Sequence, residues 1–217
     1  MSHVRPVSRG TLTVAACIAV GIGAVGIVPW QLTAQEIKND EDQELLVRWE
    51  KMTEEQAVGA GANNVAAIMA AVHNYADAHH NTFPPIAIPN PEIPEARQLS
   101  GLVLLLPYLG ERPSYISAED WPRYRHLNGF SVDESVMRKA KDLYRKIDQT
   151  KGWDAPENQV AARSVMPVFL APKSAPLRDK RGFAASHFAF IRGYAGEDNG
   201  AFDKVGVGIR DIPDGTV

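Results

Sequence analysis

Cysteine is almost absent from this chain: Cys17 is the sole example in 217 residues. An intrachain disulfide and a thiolate zinc site are therefore excluded. A basic excess is also missing. The formal net charge is −3, the opposite of the lysine- and arginine-rich footprint of nucleic-acid binding, so no nucleic-acid partner is expected. No period of roughly 20–50 residues recurs, which excludes a repeat array. G-x-S-x-G, H-E-x-x-H and a phosphate-binding loop are absent, and the one cysteine lies in an apolar run, away from any base that could activate it. The expectation is a protein that is not an enzyme and needs no cofactor.

What is present is ordinary globular material. Hydrophobic residues make up 45 % of the chain and charged residues 23 %, a balance that supports a packed core. The N-terminus is organised differently. Arg5 and Arg9 precede residues 11–28, which carry no charge, and the acidic run Asp40-Glu41-Asp42 follows. As a helix this stretch would reach roughly 27 Å, close to the hydrocarbon thickness of a bilayer. Positive before and acidic after orients the remainder outside the cytoplasm. Residues 1–34 thus read as a signal anchor, as a signal peptide cut after Ala34, or as a lipoprotein leader on Val14-Ala15-Ala16-Cys17. The membrane partner is residues 11–28, and the location is the cell envelope or beyond it. "GIGAVG" (Gly21 to Gly26) formally matches a dinucleotide fingerprint, but Pro29 falls where the required helix should run.

Residues 35–62 read as a charged helical linker. A helix is expected over 41–57, with Leu45, Leu46, Trp49 and Met52 on one side and an interruption at Gly59-Ala60-Gly61. A second helix over 63–80 carries an apolar stripe of Val65, Ile68, Met69, Val72, Tyr75 and Ala76. It must stop before Phe83-Pro84-Pro85. "LSGLVLLLPYL" (residues 99–109) is too short to span a membrane and reads as buried. Residues 131–149 form an amphipathic helix, with Ser131 and Glu134 as a capping box. Val136, Ala140, Leu143, Tyr144 and Ile147 are its apolar side, and Arg138, Lys139, Lys141, Arg145 and Lys146 a solvated outer face. "VMPVFL", "FAASHFAFI" and "VGVGI" read as short strands. Helices first and strands later imply an α+β fold, with a long helix packed on an antiparallel sheet across residues 63–217.

Seven segments, in order, resemble one family: "NNVAAIMAAVHNY", "FPP", "LVLLLPYL", "LYRKID", "WDAPEN", "MPVFLAP" and "DIPDGT". The chain resembles the pseudopilin-like group known as domain of unknown function fifteen-fifty-nine, over roughly residues 60–216. The resemblance implies a prepilin-like signal, an N-terminal hydrophobic helix and a pilin-like α+β head. It also implies a structural or protein-interacting role beside a pilus-like or type II secretion assembly. The alternative it carries is an exported solute-binding module. Where the family starts Arg-Gly-Phe-Thr-Leu-Ile-Glu, this chain has Arg9-Gly10-Thr11-Leu12-Thr13-Val14-Ala15, without the glutamate that pilins bury against a neighbour's amine. Two cysteines that relatives carry are Gly61 and Ala171 here. Their joint absence is what a disulfide lost as a unit would leave, and a reduction-insensitive melting temperature in a relative holding both would contradict that pairing.

Two polar clusters bear weighing. In "HNYADAHHNTFPP", His73 and Asp77 stand at i and i+4 with His80 a turn further, a spacing that can ligate zinc. The competing reading is a helix end whose polar side chains cap backbone groups. In "GEDNGAFDK", Glu197, Asp198 and Asp203 offer oxygens that suit calcium, against a plain glycine-bounded turn. Trp153-Asp154 reads as an anchored loop, with the tryptophan buried and the aspartate bonding local backbone. A deep pocket lined by Trp121, Trp153 and Tyr194 would favour ligand binding. A flat apolar patch would favour assembly, and convergence of His73, His126 and His187 would favour a metal.

Overall fold

A computed structural model describes residues 40–127, 132–174 and 176–190. The hydrophobic run at 11–28, the "VGVGI" segment, and the capping box at Ser131 lie outside them.

The chain enters at α1 (Asp40–Glu50), whose first turn carries Asp40, Glu41 and Asp42, an acidic start that suits the helix dipole. The break comes at Lys51-Met52-Thr53, not at the glycines. Thr53 caps α2 (Glu54–Ala78) with a reciprocal capping box: its hydroxyl accepts from Gln56 N, and Gln56 Oε1 accepts from Thr53 N at 2.8 Å. Gly59 and Gly61 lie inside α2. Their weak helix propensity is outweighed by the cap before them and the packed alanine-rich turns after them. Residue 62, where the linker was expected to end, falls within α2.

The buried face of α2 is rotated from the expected stripe. Ala67, Ile68, Ala71, Val72, Tyr75 and Ala76 are buried, whereas Val65 and Met69 remain 44 % and 45 % exposed. Alanines at 67, 71 and 76 share the inner face with Ile68, Val72 and Tyr75, which leaves Val65 and Met69 on the outer side. The neighbour is "GLVLLLPY" (Gly101–Tyr108), a 3-10 helix whose N-cap Ser100 accepts from Leu102 N. Pro107 within it cannot donate to an α-helical ladder. Leu102, Leu105, Leu106 and Leu109 fill the core between α2, α4 (Glu134–Lys146) and the turn Pro167–Phe169. A second cluster of Leu45, Trp49, Val165, Leu170 and Leu177 docks α1. The short helices α3 (Trp121–Leu127) and α5 (Gln159–Ala162) and the 3-10 turns Glu95–Arg97 and Pro156–Asn158 complete the described elements.

The expected antiparallel sheet is absent among the described residues. The described residues are 52 % helical and 3 % extended, with no sheet; pairing is limited to isolated bridges such as Ala87 with Ser100 and Arg178 with Ala184. The apolar runs misread as strands have local reasons to fold otherwise. In "VMPVFL", Pro167 opens a 3-10 turn that buries Val168 and Phe169. In "FAASHFAFI", backbone N–H groups find scattered carbonyls: Ala184 to Ala162, Ala185 to Leu177, His187 to Phe169. Among the described residues the long helix therefore packs on other helical turns, not on the expected antiparallel sheet.

Buried and half-buried asparagines tie the irregular segments down. Asn64 Nδ2 donates to Pro167 O at 3.0 Å and Leu170 O at 2.7 Å. Asn74 Nδ2 donates to Glu111 O at 3.2 Å. Asn158, 1 % exposed, donates to Asp148 O and Gly152 O at 3.0 Å each and accepts from Asp148 N at 2.8 Å. One amide thus closes the loop between α4 and α5, as a buried polar group must if it is not to be costly.

Candidate ligand-binding cleft

The zinc expectation at "HNYADAHHNTFPP" is not met by the geometry. His73 packs edge-on against Tyr115 at 5.6 Å between ring centroids, and Asp77 accepts from the Ser114 hydroxyl. His80 and Asn81 have φ of 57° and 61°, so the chain turns left-handed immediately after the helix and carries His80 away. Among the described residues, no group of three His, Cys, Asp or Glu side chains is placed to hold a metal. The segment is instead a helix stop. His79 N–H donates to Ala76 O, Asn81 N–H donates to Ala76 O at 2.8 Å, and the Thr82 hydroxyl donates to His79 O. The His79 ring stacks on Tyr75 at 3.9 Å. Burial raises the Tyr75 phenol pKa, with Tyr108 and Tyr144 adding to the shift. Phe83 and Pro84 then plunge into the core. His187 is part of the framework as well: its Nδ1 accepts from Ala171 N at 2.9 Å. Glu197, Asp198, Asp203 and Tyr194 lie outside the described residues, as does the side chain of His126.

The feature that stands out is a cleft of about 600 Å³. It is lined by Leu102, Val103 and Leu106 of the 3-10 helix, by Leu143 of α4 and Ile147 just after it, and by Met166 and Phe169. The segment 183–190 also lines it, through Phe183, Phe188 and Phe190. Residues 99–109 were expected to be buried, and the segments holding Met166, Phe169, Phe183, Phe188 and Phe190 to be strands. Nothing local marks them as a cavity wall, because the space arises where irregular segments meet.

Trp153 lines this cleft, as the ligand-binding reading requires, while Trp121 does not. The loop that carries it is anchored, but differently from expectation. Trp153 is partly exposed. Its indole N–H donates to Ala96 O at 3.0 Å and its backbone N–H to Arg97 O at 3.0 Å. Asp154 pairs with the Arg97 guanidinium at 2.9 Å rather than with local backbone. Gly152 is required by close approach, since a Cβ there would stand 2.8 Å from Arg97 O.

At the rim, Phe183 meets Trp153 edge-on at 5.0 Å. The Arg181 guanidinium lies 5.4 Å from the Trp153 ring and 5.1 Å from the Phe183 ring, and that of Arg163 lies 4.5 Å from Phe183, within cation–π range. Arg181 Nε donates to Asp179 Oδ2 at 3.0 Å. Burial works to raise the Asp179 pKa, but hydrogen bonds from Phe183 N–H and from the Arg181 side chain and backbone outweigh it. The net shift is downward, so Asp179 stays an anion that holds Arg181 in place.

Three uncharged polar side chains that line the cleft are engaged by the protein itself. Gln98 donates to Asn90 O and Ile93 O, the Ser164 hydroxyl to Val160 O, and the Ser186 hydroxyl to Phe188 O. The wall is thus apolar in effect, with arginine at one edge. Compared with known proteins, the chain matches no family model, no curated protein and no solved structure.

Proposed function

We propose that this protein is a non-enzymatic binding module of the cell envelope, which takes an apolar small molecule in the cleft between residues 101–108, α4 and residues 183–190. The observation that carries the reading is the 600 Å³ apolar cavity with Trp153 at its edge. Ligand sites of about 300–1,000 Å³ are largely hydrophobic with few polar groups. The test is titration of the purified chain with the neutral fluorophore N-phenyl-1-naphthylamine. Saturable binding is expected, and Ala162→Phe, which fills the cleft, should weaken it at least tenfold. A folded chain that leaves the fluorophore unbound overturns the reading.

Export rests on the charge pattern around residues 11–28. The mature N-terminus and intact mass of envelope-purified protein test it. A start at Gln35 means a released head, a start at Met1 or Ser2 a membrane anchor, and a start at Thr11 prepilin-type processing. Recovery in the cytosol with an intact start overturns it.

A second reading, the structural and protein-interacting role, is favoured by one observation. Val58, Val65 and Met69 stand on the outer face of α2 at 72 %, 44 % and 45 % exposure. Spaced by seven and four residues, they form a seam of the kind that packs helix on helix. Under this reading the chain self-associates through α2, and Val65→Asp with Met69→Asp lowers the mass seen by sedimentation. Equal masses for both proteins exclude it.

A further inference from the structure

We infer that the cleft ligand is a monoanionic amphiphile, a single apolar chain of fatty-acid type, with its charged group at Arg181 and its tail along the floor of residues 101–108. The inference rests on the binding reading above and adds the chemistry of the ligand. Three observations carry it. The interior walls are leucine, isoleucine, methionine and phenylalanine, and the polar side chains that reach it are turned onto backbone carbonyls, so the interior offers no site for a polar body. The charged side chains lying on the aromatic rim are arginines, Arg163 and Arg181. They differ in what they have left to give. Arg163 donates from Nε to Gln159 and from Nη1 to Arg181 O, whereas Arg181 uses Nε alone, on Asp179. Its two Nη groups make no hydrogen bond among the described residues.

A guanidinium fixed by a carboxylate through Nε and laid across two rings is pre-oriented. Its outer edge is a planar pair of donors that fits a carboxylate. Charge complementarity therefore selects an anion at the rim, and the uncharged interior selects a long apolar tail. A cationic amphiphile would meet like charge at the same place, and a neutral one would leave the Arg181 donors to water.

The experiment is displacement of bound N-phenyl-1-naphthylamine from the full chain by twelve-carbon ligands that differ in headgroup: dodecanoate, dodecanol and dodecyltrimethylammonium, each below its micelle-forming concentration. Dodecanoate is expected to compete at least tenfold more strongly than dodecanol, with the trimethylammonium compound weakest. In Arg181→Gln, with fluorophore affinity measured alongside, dodecanoate should fall to the level of dodecanol. If the fluorophore never binds, the binding reading itself fails. If it binds and the three headgroups compete equally, or if Arg181→Gln weakens dodecanoate and dodecanol by the same factor, the cleft stands and this inference falls. Binding to anionic vesicles without competition by monomeric dodecanoate would assign the cation to a bilayer surface and overturn the inference as well.

Discussion

Replacing glycine by alanine at two positions should move stability in opposite directions, and the structure says by how much. Gly59 lies within α2, and a Cβ built on it meets nothing within 4 Å. Alanine there removes the entropic penalty of glycine in a helix and should stabilise by about 0.5–1 kcal/mol. Gly101 opens the 3-10 helix, and a Cβ there would stand 1.7 Å from Pro85 O and 2.9 Å from Pro85 C. Those atoms are backbone, so no rotamer change relieves the overlap. The two strands of chain must separate, which disrupts the pairing of Gly101 N with Ile86 O at 2.9 Å and of Ile88 N with Leu99 O at 2.7 Å. Two hydrogen bonds at about 1 kcal/mol each, plus overpacking of roughly 1–3 kcal/mol, give a loss of about 3–5 kcal/mol. Urea unfolding followed by far-ultraviolet circular dichroism measures both. With a slope near ~2 kcal/mol/M, the midpoint should rise by about 0.3–0.5 M for Gly59→Ala and fall by more than ~1 M for Gly101→Ala. Equal shifts, or a Gly101→Ala protein as stable as the parent, would refute the close approach of residues 85 and 101.

Other perturbations test other joints. The Asp42–Arg178 ion pair, with side chains 10 % and 15 % exposed, ties α1 to the later loops; Asp42→Ala alone should cost about 3–5 kcal/mol, and Asp42→Leu with Arg178→Met together much less, as a double-mutant cycle in urea would show. Position 61 faces Pro172, whose Cδ is 4.0 Å from a Cβ built on Gly61. Gly61→Cys with Ala171→Cys, in a Cys17→Ser background, should therefore crosslink in air. Intact mass checks the bond, and a purely reduced product would place the two segments further apart than described. The Asp133 pKa is lowered by hydrogen bonds from the Ser135 side chain and backbone, and that of Asp148 by those from Thr150. Because the folded-state values lie below the unfolded ones, this stability is complete above the ordinary carboxylate range and is lost as pH falls through it. The thermal midpoint of Asp133→Asn with Asp148→Asn should accordingly depend less on pH below about 4 than that of the parent.

How the head came to be misread follows from particular residues. The turn chemistry after α2 was legible: Phe83-Pro84-Pro85 ends the helix within a few residues of where the pattern places it, because proline acts locally. The Thr53 cap was equally local, yet two glycines suggested a later break. Propensity lost there to a capping box and tertiary packing. The outward turn of Val65 and Met69 was not legible at all. It depends on which side of α2 the 101–108 segment packs, and an alanine face is silent until a partner is known. Asn64, Asn74 and Asn158 carried the one signal that could have been used, a polar residue set within an apolar neighbourhood.

By itself the sequence determined the amphipathic helix that became α4, the helix stop before Phe83-Pro84-Pro85, and the charge asymmetry around residues 11–28, since each depends on residues near one another in the chain. The sheet that was expected and the cleft that was found were decided by tertiary structure alone. A short apolar run has no intrinsic period long enough to separate strand from 3-10 helix. Whether Leu106, Phe169 and Phe188 close on one another or leave 600 Å³ between them depends on contacts far apart in sequence.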